Sequence, residues 1–528
     1  MNKRSSRIIW TCLFLACIAV AAAFRLPRLA LRPMHGDEAN QAVKAGMLFD
    51  DGVYRYDPFE HHGPTLYYAT LPLFWLSGAG SFEETSATLY RLVPALFGIA
   101  LLGLLWPLRR ALGSSAVVWA ALLMAVSHAM VYYSRYYIQE IMLVLFTFGL
   151  LVCGWRYLCS RRTGWAVGAG LFFGLAHATK ETCIIIFVCM GAALVLTGLL
   201  AWWREGQRPA LKQLRWTHLG LAALAAVAVS VTLYTSFFTW WRGPLDSILT
   251  FSTYLSRSEG TGSAGMHDKP WHYYLHVLIH FYKTAGPRWN EAFILALALV
   301  GIGLALVKRA ESDEPDAAGP HPRHLHRFLA FYAVLTLAAY SVIPYKTPWN
   351  LIVFLHPLVL LAGLGAAALV RGVRLPPLRV AMAVLLLAGT AHLAHLSYLG
   401  NFQYYADARN PYVYAHPSTA LRRLVERVDA IAALHPEGHS MQINIIKPDR
   451  DYWPLPWYFR KYDRVGYWTR MPDPADAPFI IADMGLHTEL DKALKDQYFI
   501  ETHALRPNVL LLAYIRQDLW DRFMEDRS

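Results

Sequence analysis

Met34-His35-Gly36-Asp37-Glu38-Ala39-Asn40 places two adjacent carboxylates shortly after an apolar run, Ile8 to Phe24, whose amino-terminal flank, Asn2 to Arg7, is basic. It opens a polar stretch that continues to Tyr68 and carries Asp50, Asp51, Asp57, Glu60, His61 and His62. Charged residues make up only 16 % of the 528. Acids gathered beside a hydrophobic anchor in so apolar a chain read as a site held at a membrane surface.

The rest of the chain supplies the membrane. It is 55 % hydrophobic and 14 % aromatic, with long apolar runs separated by short basic clusters, the pattern of a polytopic helical membrane protein. A soluble chain of this length would divide into domains built from amphipathic elements. The net charge of +12 would permit a nucleic-acid partner, but Lys and Arg punctuate the ends of apolar segments and form no continuous basic face, so none is expected. The cysteines, Cys12, Cys17, Cys153, Cys159, Cys183 and Cys189, lie in or beside apolar segments and show neither a disulfide framework nor zinc spacing.

Ala21-Ala22-Ala23 imitates a signal-peptide cleavage site, and a retained anchor is the reading adopted; either way the basic flank stays inside and Asp37 emerges outside. At about 20 apolar residues per crossing, further spans are expected near 89–108, 115–134, 140–157, 164–180, 181–203, 217–239, 291–308, 327–344, 349–370 and 379–398, making about eleven in all. Threaded alternately, they put Arg109-Arg110, Arg156 to Arg162, Arg204 to Arg215, Lys308 to Arg327 and Arg371 to Arg379 on the inner side, as the positive-inside rule requires. The outer side receives loop 25–88, turns at Arg135 to Gln139, Lys180 and Pro344 to Trp349, loop 240–290 and everything after 399. Thr65 to Leu76 is too short to span and contains Pro72, so an interfacial helix is expected there. Segment 311–322 reads as a cytoplasmic linker.

Beyond residue 400 the pattern changes. Leu421 to Leu434 and Glu489 to Asp496 have helical spacing, while Met441 to Ile446, Phe479 to Ala482 and Val509 to Ile515 look like buried strands. The expected architecture is therefore mainly α, a polytopic membrane domain over 1–399 followed by a small extracytoplasmic α/β domain over 400–528. The cluster Trp453-Pro454-Leu455-Pro456-Trp457-Tyr458 either faces the membrane surface or packs between domains.

Asp37 is the leading candidate base, with Glu38 beside it, because an ionised carboxylate held against a hydroxyl or amine can take its proton during attack. Glu140 opens a span after Tyr132-Tyr133-Ser134-Arg135-Tyr136-Tyr137, where the helix dipole and Arg135 favour it and where an acid near hydrocarbon is often functional. Lys180 and Lys346 are outward cations suited to a phosphate leaving group. Loop 240–290, with His267, Trp271 and Arg288, is long and aromatic enough for a lid or a ligand surface. Asp37, His61 and His62 together suit a divalent metal by donor type, although their spacing matches no metal motif, and no cofactor is required.

The Gly36-Asp37-Glu38 loop, Arg55-Tyr56-Asp57-Pro58 leading to His62-Gly63-Pro64, Ser134-Arg135 before an acid, Thr179-Lys180-Glu181, His267-Asp268-Lys269-Pro270-Trp271 and Tyr345-Lys346-Thr347-Pro348-Trp349 together resemble the GT-C membrane glycosyltransferases. The likeness extends over the whole chain and is nearest to the prokaryotic branch related to protein O-mannosyltransferases and aminoarabinose transferases, which includes flippase-associated members. The resemblance implies a polyprenyl-phosphate sugar donor, a glycan, lipid or protein acceptor, and a multi-pass protein of the cytoplasmic membrane with its site facing outward. It implies that Asp37 is the base or an acceptor-positioning group, that Glu140 is the second-loop acid (often Asp in the family), and that Lys346, Lys180 and Arg288 surround the lipid phosphate; Arg135 is a further candidate at the phosphate, and His62, His267, Trp271 and Tyr345 are candidates for the substrate loops. The rivals are a transporter of lipid-linked saccharides and a noncatalytic envelope-glycosylation partner. A transporter would place charges near the membrane midplane, whereas the charges here crowd at the outer ends.

Overall fold

The computed structural model describes residues 3–59, 62–206, 214–258, 267–307, 320–494 and 497–527. Among these, eight helices are long and apolar enough to cross a membrane. They include α1 (Lys3–Arg25), the stretch Ala87–Leu112 that begins with α4 (Ala87–Gly103), and the helices at 140–160, 183–205, 216–234, 322–342, 348–372 and 376–403. A ninth crossing is broken: Ser114–Val126 and His128–Ser134 meet at 62°. The shorter helices Thr163–His177 and Ala292–Val307 occupy the two remaining positions at which the apolar pattern predicts spans.

The break at Ser127 is held by side chains. The Ser127 hydroxyl accepts the Met130 amide, and the Glu291 carboxylate accepts both the Ser127 hydroxyl and the Ala129 amide at 2.9 Å. Donors freed by ending one helix are thereby satisfied, as they must be where no water competes. The bundle is organised around Pro348–Gly372, whose most apolar window is 94 % buried within the protein. It approaches its neighbours through small residues: a Cβ on Gly365 would lie 2.1 Å from the Leu297 carbonyl, and one on Gly363 would lie 2.4 Å from that of Ala116. Close backbone packing of this kind replaces the hydrophobic drive that lipid removes.

The polar stretch after α1 is largely helical. It contains α2 (Gly36–Asp51) and α3 (Thr65–Ser77), the latter where a short interfacial helix is expected, with Pro72 inside it. Helix α2 starts at His35 because the imidazole accepts the Asp37 amide and Glu38 reaches back to the His35 amide, forming a capping box with histidine in the usual serine place. It ends at Gly52, whose φ of 73° suits a residue without a Cβ.

The carboxy-terminal unit is a five-stranded sheet of β1 (Ile443–Ile446), β2 (Val465–Trp468), β3 (Phe479–Asp483), β4 (Tyr498–Arg506) and β5 (Val509–Arg516), in the order β2-β1-β3-β5-β4. β1 runs parallel to β2 and β3, and β5 runs antiparallel to β3 and β4. Strands β1, β3 and β5 lie where continuous apolar runs predict them; edge strands β2 and β4 bury little and show no such run. Helix Leu421–Leu434 packs on one face and His487–Leu494 on the other.

This unit rests on the membrane domain through the Trp453–Tyr458 cluster. Trp457 packs edge-on against Tyr90 of α4 at 5.1 Å, and the Tyr458 hydroxyl accepts the Met34 amide at 3.0 Å. Of the two expected settings for that cluster, the structure shows packing between the units.

Candidate active site

Helix α2 turns its two acidic neighbours in different directions. Glu38 is fully buried and accepts five hydrogen bonds: from Arg91 Nε and Nη2 at 2.8 and 2.6 Å, Arg32 Nη2 at 3.3 Å, the Tyr137 amide at 2.9 Å and the His35 amide at 3.1 Å. Burial raises its pKa, but the Arg91 and Arg32 guanidiniums outweigh burial and hold the carboxyl well below the usual range. With both oxygens engaged, Glu38 is not free to act as the base expected of it; it is the anchor that fixes α2 against α4 and Tyr137.

Asp37 is the acid that faces outward, its side chain 51 % exposed. Its Oδ2 lies 3.9 Å from His35 Nδ1, while its amide donates to that same nitrogen at 3.0 Å. Since His35 Nδ1 accepts, Nε2 carries the proton and donates to the Tyr414 carbonyl at 3.0 Å. Burial lowers the His35 pKa against the opposing pull of Asp37 and Glu38, so the imidazole is held neutral in this tautomer.

His267 adjoins this group. Its Nδ1 is 2.8 Å from the Tyr414 hydroxyl and its ring lies 4.6 Å from that of Tyr345. Burial lowers its pKa, and the Asp37 charge opposes that shift. The segment is tied to the turn before helix 348–372 by a two-stranded bridge: the Lys346 amide donates to the His267 carbonyl at 2.9 Å, and the Lys269 amide to that of Pro344 at 3.2 Å. Lys346 locks the bridge, its ammonium buried and donating to the carbonyls of Lys269 and Ile343. Lys346, expected at the lipid phosphate, has its ammonium engaged by these two carbonyls and so clasps the His267 segment.

One helical turn along α2 from Asp37, Gln41 continues the polar surface. Its Oε1 accepts Gln139 Nε2 at 2.8 Å and the Tyr67 hydroxyl. Gln139 precedes Glu140, which is buried and accepts the Lys180 ammonium on Oε1, while its Oε2 has no partner among the described residues. Glu181, also buried, accepts the Tyr56 hydroxyl at 2.9 Å and lies 2.8 Å from His62 Nδ1. Burial raises its pKa, but His62 and the Tyr56 hydroxyl bring it below the ordinary value. Segment 62–65 is pressed onto the 178–181 turn: the Thr65 amide donates to the Ala178 carbonyl, Thr65 Oγ1 donates to Thr179 Oγ1, and a Cβ on Gly63 would meet the Ala178 oxygen at 2.3 Å. Only glycine allows that approach.

Arg135 does not pair with Glu140; it donates to the carbonyls of Phe24, Arg25, Pro27 and Arg28, capping the carboxy-terminal end of α1, so its guanidinium is spent on backbone. Arg288 and Trp271 are exposed, Trp271 edge-on to His272. His61 lies outside the described residues. Among the described residues no three metal-ligating side chains are gathered: the imidazole beside Asp37 is His35, and His62 faces Glu181.

No sequence expectation assigns a role to Arg91, Gln41 or Tyr414, nor to His35 and Tyr56, although His35 adjoins Gly36-Asp37-Glu38 and Tyr56 stands in Arg55-Tyr56-Asp57-Pro58. A signal was present for one of them: Arg91 interrupts an apolar segment, and an arginine there needs a buried anion. Gln41 and Tyr414 stand in no motif, and what joins them to Asp37 is their packing.

A family model described as dolichyl-phosphate-mannose-protein mannosyltransferase matches residues 73–234. No curated protein matches the chain. Among solved structures, ArnT from Cupriavidus metallidurans bound to undecaprenyl phosphate is 15 % identical, with 97 % of this chain and 98 % of that one covered and a TM-score of 0.59. The oligosaccharyltransferase AglB from Archaeoglobus fulgidus, in complex with an inhibitory peptide and a dolichol-phosphate, is 11 % identical, with 98 % and 77 % covered and a TM-score of 0.58. At these identities the likeness is one of fold: the chain is a multi-pass membrane protein of GT-C architecture, resembling ArnT and the protein O-mannosyltransferases.

Proposed function

We propose that the protein transfers a sugar from a polyprenyl-phosphate-linked donor to an acceptor at the outer face of the cytoplasmic membrane. The observation that carries this reading is Asp37: one exposed carboxylate, beside a neutral His35 and the His267–Tyr414 pair, on a helix that Glu38 clamps to the bundle. The similar folds of ArnT and AglB hold polyprenyl and dolichol phosphates, which supports the donor class.

Asp37 accepts the proton of the acceptor hydroxyl or amine as that group attacks the anomeric carbon. The bond from that carbon to the phosphate oxygen breaks, and the electron pair leaves with the polyprenyl phosphate. A single displacement with one base inverts the anomeric centre, unlike the two-carboxylate route that retains it. Lys180, oriented by Glu140, and His62, oriented by Glu181, face the leaving phosphate, and the clasped His267 segment holds the acceptor in line while limiting water.

The test is transfer of radiolabelled sugar from polyprenyl-phosphate donors by membranes containing wild type or Asp37→Asn at equal expression. Transfer that collapses in the variant supports the reading. Equal activity removes Asp37 from the chemistry, and movement of lipid-linked sugar across vesicles without transfer replaces the enzyme with a transporter.

A further inference from the structure

Helix Gly243–Ser258 is amphipathic in the inverse sense. Leu245, Ile248 and Leu249 recur at the three- and four-residue spacing of one helical face and are exposed, while Asp246, Ser247 and Thr250 of the opposite face are buried. The buried polar groups are satisfied: Asp246 accepts Arg242 Nε at 3.2 Å, the Ser247 hydroxyl donates to the Pro244 carbonyl and Thr250 Oγ1 donates to the Pro58 carbonyl at 3.0 Å. A helix lying between a protein core and water turns its faces the other way.

The exposed face continues that of a membrane crossing. Among the described residues, helix Trp216–Tyr234 is the least buried of the eight crossings. Its 19 residues extend about 28 Å at about 1.5 Å each, close to the ~30 Å hydrocarbon core, so Tyr234 stands at a membrane boundary and the segment that follows lies along it. Exposed Trp216 and Trp241 lie toward its two ends, as interfacial tryptophans do. Between helix and helix, Phe237 and Phe238 have left-handed backbones, φ 55° and 71°, which bulky side chains rarely adopt and which cost energy. Phe237 meets the Tyr68 ring edge-on at 5.0 Å, yet both phenylalanines stay more than half exposed, so the protein's own packing does not repay the strain. Phe237, Phe238, Trp241, Leu245, Ile248 and Leu249 are each between 49 and 69 % exposed, an apolar surface that water does not favour.

We infer that residues 237–249 lie in the membrane interface with these side chains among phospholipid acyl chains. Lipid repays the strained turn and accounts for the inverted helix, whose polar side faces the protein because its apolar side faces the bilayer. The anchored segment also holds the chain that carries Tyr56 and His62. Ser236 Oγ accepts the Tyr54 amide at 2.9 Å and lies 2.6 Å from the Tyr68 hydroxyl, Thr250 binds the Pro58 carbonyl, and the Tyr54 hydroxyl donates to the His62 carbonyl at 3.0 Å. On the reading that His62 faces the donor phosphate, the bilayer itself thereby sets the height of that side chain over a lipid-borne substrate.

The experiment places a cysteine at Ile248 or, on the carboxy-terminal unit, at exposed Thr469, in the full chain in phosphatidylcholine nanodiscs holding one copy each. Wild type supplies the background of native cysteines. Ile248→Cys is expected to react with a charged, water-soluble maleimide about tenfold or more slowly than Thr469→Cys, because the reagent must carry its charge toward hydrocarbon. A fluorophore at 248, and not one at 469, is expected to be quenched by phosphatidylcholine bearing a nitroxide on its acyl chain. Equal reaction rates overturn the inference, as does protection without quenching, which means that protein covers the face. Protection that appears only when two copies share a disc assigns the face to a second copy and overturns it as well. In the transfer assay, Ile248→Glu, with Ile248→Gln as the milder change, raises the donor KM and leaves kcat; an unchanged donor KM overturns the tie to His62. Absence of transfer by wild type removes the donor reading and leaves the labelling result standing.

Discussion

Asp37 and Glu38 are consecutive residues, yet half of one side chain is open to solvent and the other is sealed beneath two arginines. About 100° of rotation per helical residue, applied at the first turn of a capped helix, separates a carboxylate that can react from one that can only hold.

Asp37→Asn therefore lowers sugar transfer by about 10²- to 10⁴-fold, the usual worth of a positioned base, with an unchanged unfolding midpoint. Glu38→Gln has the opposite signature. It leaves Arg91 and Arg32 without their anion and costs about 3–5 kcal/mol of stability. Thermal unfolding in detergent, run beside the transfer assay, separates the two.

Acid should weaken the cap of α2. His35 and His267 both have lowered pKa values, so below about pH 6.5 the unfolded chain binds more protons than the folded one, and stability falls as pH falls. Protonated His35 would present an N–H to the Asp37 amide in place of a lone pair. His35→Asn keeps a side-chain acceptor at the cap and flattens this acid limb, whereas His35→Ala costs about 1 kcal/mol at neutral pH. A midpoint against pH series from 5 to 8 checks the slope.

Lys346→Met removes the donor from two carbonyls and should loosen the 267–270 bridge, with a loss of about 1–3 kcal/mol. The expected readouts are faster proteolysis within loop 240–290 and a higher KM for acceptor with kcat less affected. A KM rise for donor alone would return Lys346 to the phosphate.

Gly63→Ala should uncouple His62 from Glu181, because the new methyl would sit 2.3 Å from the Ala178 oxygen and push the two segments apart. Transfer falls with a rise in donor KM, and a further Glu181→Gln change adds little, since the pair is already separated. Full additivity of the two changes would show that Gly63 acts elsewhere.

Much of the scaffold was legible because membrane solvent imposes a local rule: every crossing must be a run of apolar residues that satisfies its own backbone. The spans, the helix at Thr65–Ser77 and strands β1, β3 and β5 follow from runs that can be read one segment at a time. Asp37 was legible for the same reason, as a charge where apolar residues are the norm.

The charge pairs were not. Sequence showed Lys180, Glu140, Arg135, Lys346 and Glu38 as a set of polar groups near one surface, and nothing local distinguishes a lysine that meets a ligand from one that meets a carbonyl. Tertiary packing set the partners each one has: Arg135 the end of α1, Lys346 its bridge, Lys180 Glu140, and Glu38 Arg91. Sequence by itself determined which segments are apolar enough to lie in a membrane and where acids follow them; the fold alone decided that Asp37 stays open to solvent while Glu38 is sealed, because the arginines that bury Glu38 are brought to it by packing, Arg91 from a separate helix.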